Sequence, residues 1–256
     1  MKIEKIIKLK DGKYKVIIDS EEIIMYEEVI LENKLLYKKY IDQHIYNNII
    51  EQTKYYMFYN KALKYCLKKR RSENQTKQYL IKLDLNTKDI EKIIDKLKLT
   101  NILNDREYCR AYINDKIYLS KNGINKIRID LLNEGILPQL IEQELNNIDF
   151  SLLNNKLERL IKKKIKLNTK YSNYVLKSKI LIEMLNLGYY KEEIVKLIDD
   201  NLEENNNILE KEFNKIYNNL SKKYSGDETF EKLKQKLLYK GFKISDINDL
   251  IQKKQK

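Results

Sequence analysis

The sequence predicts a mainly α-helical protein, built as tandem three-helix repeats forming an elongated curved array with a small N-terminal β-ribbon extension. Three observations carry that expectation. From position 80 onward one short pattern recurs four times: Leu80-Ile-Lys-Leu-Asp84-Leu, Leu131-Leu-Asn-Glu-Gly135-Ile, Met184-Leu-Asn-Leu-Gly188-Tyr and Leu237-Leu-Tyr-Lys-Gly241-Phe. Its pivots at 84, 135, 188 and 241 are spaced 51, 53 and 53 residues apart. A fixed period of this size marks stacked supersecondary units that share their cores with neighbours. Next, 256 residues with one Pro and six Gly, rich in Lys, Glu, Leu and Ile, favour helices over a turn-rich β protein. Finally, residues 2–25 differ from the rest, with apolar and polar side chains alternating at period two.

The elements follow in order. Ile7 and Leu9, then Tyr14, Val16 and Ile18, read as two strands. Lys10-Asp11-Gly12-Lys13 between them carries a type I′ hairpin signal, because both central residues must take φ > 0. A second turn at Ser20-Glu21 leads into Ile23-Ile24-Met25. A ribbon this small is marginal alone and must dock on something. A short helix over 26–33 and a long one from about Gln43 to Lys69 come next. The expected division is an N-terminal segment 1–58 and four three-helix repeats at 59–103, 104–149, 150–202 and 203–256.

In the first repeat, Ser72-Glu73-Asn74-Gln75 reads as a capping box in which Ser72 accepts from the Gln75 amide and Gln75 reaches back. That helix runs to Leu83, and the next begins at a Thr87 cap. Asn104-Asp105 caps the second repeat, Gly123 breaks it and Gly135 supplies a left-handed stop. Pro138 suits the first turn of the following helix, where its missing amide has no partner to lose. The third repeat has a cap at Ser151, a stripe through Leu153, Leu157, Leu160 and Ile161, and a stop at Gly188. The fourth breaks at Gly226-Asp227, stops at Gly241 and has a cap at Ser245. Every glycine then has a turn or cap role, and no GxxxxGK or GxGxxG phosphate loop exists.

After each pivot, apolar residues recur six and ten positions on, as Ile90 and Ile94, Ile141 and Leu145, Ile194 and Ile198, and Ile247 and Ile251. The formal charge of +13 points to an anionic partner, although Lys, Asn, Ile and Tyr are also what an AT-rich genome encodes. The excess is uneven: residues 59–102 carry 12 basic and 5 acidic side chains, against 10 and 10 over residues 1–58. Cys66 and Cys109 lack a CxxC companion and His44 is the only histidine, so neither a zinc site nor a redox pair is expected, and no cofactor. Both thiols read as small buried hydrophobes. With no run of 18 apolar residues and no signal peptide, the expected chain is cytoplasmic, with no membrane partner.

The stretch from Ala62 to Leu145 resembles the RecX family of regulators of the RecA recombinase. The matching residues are Ala62-Leu63, Arg70-Arg71-Ser72, Ile90, Ile93, Ile94 and Leu97, then Ile102 to Tyr108, Ala111-Tyr112, Gly123 to Ile127, Leu131 and Gly135-Ile136. The order is similar to the family's basic–Ser, Asp-x-x-aromatic and Gly-x-x-x-Ile…Gly-Ile pattern. Two positions depart from it: Asp84 stands where the family commonly has Gly, and Asn104 replaces the first of two acids. The resemblance implies a helical array lying in the groove of a RecA–DNA filament as a monomer. It would restrain strand exchange, ATP hydrolysis and repressor cleavage without being an enzyme. The alternative is a basic helical-repeat protein that binds single- or double-stranded DNA independently of RecA.

Candidate contact residues are Lys68, Lys69, Arg70 and Arg71, with Arg suited to bidentate contacts. The competing reading is a solvated turn with one member paired to Glu73. Arg106 and Arg110, on the helix after Asp105, join the candidates, as do Lys121, Lys126 and Arg128 around Gly123. Lys162-Lys163-Lys164 ends an amphipathic helix, where the dipole favours cations anyway. Tyr108, Tyr112 and Tyr118, with Tyr55, Tyr56, Tyr59 and Tyr65, are expected mostly in the core with wet hydroxyls. Asp105 reads as a helix cap rather than a catalytic acid, since no dyad, nucleophile or ligand set accompanies it.

Overall fold

The protein is described by a computed structural model covering residues 1–203 and 207–255. An antiparallel meander opens the chain: β1 (Ile3–Lys8), β2 (Lys13–Ile18) and β3 (Glu21–Tyr26), in the order β1-β2-β3. Asp11 and Gly12 both take positive φ, 58° and 67°, as a type I′ turn requires. The second turn is built the same way but on Asp19 and Ser20, with φ of 45° and 71°. It falls one residue before the expected Ser20-Glu21 because a short polar side chain tolerates the left-handed region better than Glu. Val16, Ile18 and Met25 point to one buried face. The helices α1 (Glu27–Glu32) and α2 (Gln43–Lys68) pack on the sheet, so the ribbon docks on this chain's own helices.

The remaining helices are α3 (Glu73–Ile81), α4 (Thr87–Leu99), α5 (Asp105–Leu119), α6 (Ile124–Asn133) and α7 (Pro138–Leu145). They continue with α8 (Phe150–Lys166), α9 (Asn173–Asn186), α10 (Lys191–Asn201), α11 (Asn207–Leu220), α12 (Asp227–Tyr239) and α13 (Ile244–Gln255). Within α2–α4, α8–α10 and α11–α13 each helix touches the other two. The chain divides into two compact units, Met1–Arg110 with Asn133–Leu140, and Ala111–Leu132 with Ile141–Lys256. The core of the first unit joins the ribbon to Ile49, Tyr56, Leu80, Ile93 and Leu97. The second unit holds a cluster around Leu157, Ile161, Ile180, Met184 and Ile194, and another around Phe213, Leu233, Leu237 and Ile247. Both cysteines are buried, and burial pushes the Cys66 thiol up.

Several caps differ from expectation. Asn86, not Thr87, caps α4, its Oδ1 accepting from the Asp89 amide at 2.9 Å. Asp149, not Ser151, caps α8 by accepting from Ser151 N at 2.9 Å. Ser245 sits inside the first turn of α13 and donates to Asp246 Oδ1. Helix α3 ends at Ile81, two residues before Leu83. Ser72 caps α3 as expected, accepting from Gln75 N at 3.1 Å. The return half of that box is not made: the Gln75 amide donates instead to Glu134 Oε2 at 2.7 Å and to the Tyr108 hydroxyl.

The pivot residues share one geometry. Asp84, Gly135, Gly188 and Gly241 all take left-handed φ, 57°, 79°, 88° and 82°. At Gly188 the Schellman pair is complete, with Gly188 N donating to Leu185 O and Tyr189 N to Met184 O. The three glycines do more than end a helix. The C-cap carbonyl just before each accepts a hydrogen bond at the start of an earlier helix. Ser72 Oγ donates to Glu134 O at 3.1 Å, Gly123 N to Leu187 O at 2.7 Å, and Ser172 N to Lys240 O at 3.1 Å. The C-terminus of α6 thus abuts the N-terminus of α3, that of α9 abuts α6, and that of α12 abuts α9. Orphan carbonyls meet orphan donors, and the negative end of one dipole meets the positive end of the next.

Close approach explains why these pivots lack a side chain. A Cβ on Gly135 would lie 2.7 Å from Asn74 Cβ, and one on Gly241 would lie 2.7 Å from Ser172 Oγ. Gly123 has no positive φ; it is small because a Cβ there would lie 2.6 Å from Gly188 O. Ser72 is fully buried and serves both the cap and the clasp. Ser72→Ala is therefore expected to cost about 2 kcal/mol, near the top of the range for a lost cap. A urea titration monitored by circular dichroism reads this directly.

Candidate functional site

The basic run lies where α2 stops. Lys68 is the last residue of α2 and Lys69 its C-cap, extended at φ −160° and ψ 140°. Lys68, Lys69 and Arg70 are exposed, and cations at a helix C-terminus sit favourably in its dipole. None of the three forms an ion pair among the described residues. The nearby Glu73 is already engaged, by Lys77 at 2.8 Å and Lys98 at 3.0 Å. Burial pushes the Glu73 carboxyl up, but these two ammonium groups outweigh it and hold the carboxyl below its ordinary range. Glu73, the expected partner of one member of the run, pairs instead with Lys77 and Lys98.

Arg70 reaches α5, its Nη1 lying 3.4 Å from Glu107 O. That contact brings the basic run beside Arg106 and Arg110, both exposed on the first turns of α5. Arg110 pairs with Glu107 at 3.4 Å. Arg71 behaves differently. Its guanidinium lies 4.1 Å from the centroid of Tyr65, and Tyr65 stacks on Tyr79 at 4.2 Å with a 4° interplanar angle. Arg71 is thus half-buried on a two-ring stack from α2 and α3, and its Nε has no hydrogen-bond partner among the described residues. No spacing rule along one helix finds this stack, because the helix turn itself brings the two tyrosines together.

Asp105 is a cap, though of a different helix from the one expected. Its Oδ1 accepts from Glu73 N, the first amide of α3, at 2.8 Å. Burial pushes the Asp105 carboxyl up. Helix α5 is capped by Asn104, whose Oδ1 accepts from the amides of Arg106 and Glu107, both at 3.1 Å. The departure at Asn104 therefore keeps the capping function, since Asn and Asp cap equally well. Tyr108 is buried and its hydroxyl is pushed up to about 12, chiefly by burial. Tyr55, Tyr56 and Tyr59 surround Lys96, whose ammonium lies 4.4 Å from the Tyr56 centroid and 4.7 Å from that of Tyr59. Tyr118 is not in the core; it is exposed near the end of α5.

In the second unit, Lys121 is exposed, and its carbonyl accepts from the Tyr189 hydroxyl. Lys126 pairs with Asp130 at 3.3 Å, one turn on. Arg128 is committed inside its own unit: Nε and Nη2 clamp the two Glu142 oxygens at 2.6 and 3.1 Å, while Nη1 donates to Asn125 at 2.7 Å. Glu142 and the Tyr190 hydroxyl push the guanidinium further up. The candidates therefore fall into two sets, an uncompensated one on the α2–α3 turn and a largely paired one around α6. Among the described residues no group of three or more His, Cys, Asp and Glu side chains is placed to hold a metal, and no helix is long and apolar enough to cross a membrane.

No protein-family model matches the chain. The chain is 30% identical over 253 residues to the regulatory protein RecX of Streptococcus sanguinis, covering 96% of this chain and 97% of that one. It is 31% identical to the regulatory protein RecX of Streptococcus mutans, covering 98% of each. Among solved structures, a crystal structure of regulatory protein RecX matches with a TM-score of 0.68 at 21% identity, over 78% of this chain and 98% of that one. RecX from Lactobacillus salivarius matches with a TM-score of 0.54 at 25% identity, over 57% of this chain and 95% of that one.

Proposed function

The chain belongs to the RecX family of regulatory proteins, and from that premise we propose that it binds in the groove of RecA–DNA filaments and restrains RecA's recombinase, ATPase and coprotease activities. It acts by occupancy, without catalysis. The observation that carries this reading is the uncompensated run Lys68–Lys69–Arg70, left exposed while Glu73 pairs with Lys77 and Lys98. Three adjacent cations with no ion pair among the described residues suit a surface of carboxylates or phosphates, and Arg adds bidentate geometry. Successive weak contacts along a filament reinforce one another through effective concentration.

Electron cryo-microscopy of the cognate RecA filament on single-stranded DNA, with this chain added, tests the proposal. The expected result is helical-groove density with the α2–α3 turn against the filament. Filaments whose grooves stay empty at saturating chain would overturn it.

A further inference from the structure

Between α1 and α2 the chain runs through Lys34-Leu35-Leu36-Tyr37-Lys38-Lys39-Tyr40, which no role given above uses. Leu35 is buried and anchors the segment, whereas Tyr37 is 87% exposed and Tyr40 69%. Lys34, Lys38 and Lys39 are all exposed beside the two rings. No carboxylate lies between Glu32 and Asp42, and both of those are engaged. Glu32 accepts from the Tyr56 hydroxyl, and Asp42 caps α2 by accepting from Ile45 N at 2.7 Å.

The loop is held in place rather than slack. Lys34, at φ 51°, opens a short 3-10 turn closed by Tyr37 N to Lys34 O at 3.1 Å and Lys38 N to Leu35 O at 3.2 Å. The sheet then grips its far end: Ile3 N donates to Lys39 O and Ile41 N to Met1 O, both at 3.0 Å, and Lys2 forms an antiparallel bridge with Tyr40. The β-ribbon thus does more than cover the first core, since it fixes the backbone on which these rings are displayed.

Two large aromatic rings left exposed on a fixed backbone, with three exposed cations in the same seven residues, match one kind of partner. Every unpaired base offers a π-face to stack on a ring, and the phosphates between bases meet lysines. Bases inside a duplex are already stacked and offer no such face. We propose that the Lys34–Tyr40 loop is a binding site for single-stranded nucleic acid, with Tyr37 and Tyr40 stacking on bases and Lys34, Lys38 and Lys39 holding phosphates. The site goes beyond the RecA reading and uses none of Lys68, Lys69 or Arg70, so the two stand or fall separately.

The test is fluorescence anisotropy of a dye-labelled oligo-dT of about 20 nucleotides, long enough for one site, titrated with the full chain in the absence of RecA. Tyr37→Ala/Tyr40→Ala is expected to weaken binding at least about tenfold with an unchanged salt slope. Lys38→Gln/Lys39→Gln is expected to flatten that slope by about 1.4, the loss of two phosphate contacts. Tyr37→Phe/Tyr40→Phe keeps the rings and should bind like the parent. These side chains are exposed, so each variant should melt as the parent does. The proposal is overturned by failure of the parent to bind at low salt, by equal binding of the alanine variant, by loss of binding in the phenylalanine variant, or by preference for a duplex of the same length.

Discussion

Gly188→Ala should destabilise the second unit by about 3–5 kcal/mol, a value reached only when several effects act together. A left-handed φ of 88° costs alanine about 1–2 kcal/mol by itself. The new Cβ would also lie 2.6 Å from Lys126 Cβ and 2.9 Å from its Cα, so the two helix ends must part. Parting them breaks the hydrogen bonds from Gly123 N to Leu187 O at 2.7 Å and from Asn125 N to Gly188 O at 3.0 Å. Each buried group left unpaired adds about 1–3 kcal/mol. Gly12→Ala is the matched comparison. Its φ of 67° carries the backbone strain, but the nearest atom to a Cβ there is 4.0 Å away, so about 1 kcal/mol is expected. Urea titrations of the two variants should differ by at least about 2 kcal/mol; equal losses would show that strain alone, and not the abutting helix, requires glycine at 188.

This contrast also marks what the sequence makes legible. The recurrence at 84, 135, 188 and 241 identifies helix stops, because a left-handed terminus has a residue signature. The partner across the stop has none: Ser72 and Glu134, for example, are 62 residues apart. The same geometry explains the departure at Asp84. Helix α3 is the first in the abutting series, and among the described residues no earlier helix start donates a backbone hydrogen bond to the Leu83 carbonyl before its pivot. There the residue needs only tolerance of φ 57°, which Asp has.

Caps were legible to within a residue or two, since Asn86 and Asp149 outcompete the Thr87 and Ser151 beside them. The Gln75 side chain departs from the capping box because its tertiary partners, Glu134 and Tyr108, are invisible to a local motif. The basic run was plain in the sequence. Its internal division was not, because the stacking of Arg71 on Tyr65 and the capture of Glu73 by Lys77 and Lys98 are properties of the folded turn.

That division makes the second large effect specific. Lys68→Glu/Lys69→Glu/Arg70→Glu is expected to raise the concentration needed to suppress RecA by more than about tenfold, because reversal replaces attraction with like-charge repulsion. All three side chains are exposed, so stability should change by no more than about 0.5 kcal/mol per site. Arg71 is excluded from this variant because its packing on Tyr65 would confound loss of contact with loss of fold. Lys162→Glu/Lys163→Glu/Lys164→Glu changes the net charge equally at a helix end where Lys162 already pairs with Glu158 and Lys164 with Glu183. It should leave suppression nearly intact. Equal loss in both triple variants would mean that overall charge, not the α2–α3 turn, drives the effect.

The most direct measurement is steady-state ATP hydrolysis by the cognate RecA on single-stranded DNA as this chain is added. Hydrolysis should fall at substoichiometric chain and stay near its starting rate when the Lys68, Lys69 and Arg70 reversal variant is added instead. Unchanged hydrolysis at equimolar chain, or equal suppression by the two proteins, would contradict the account.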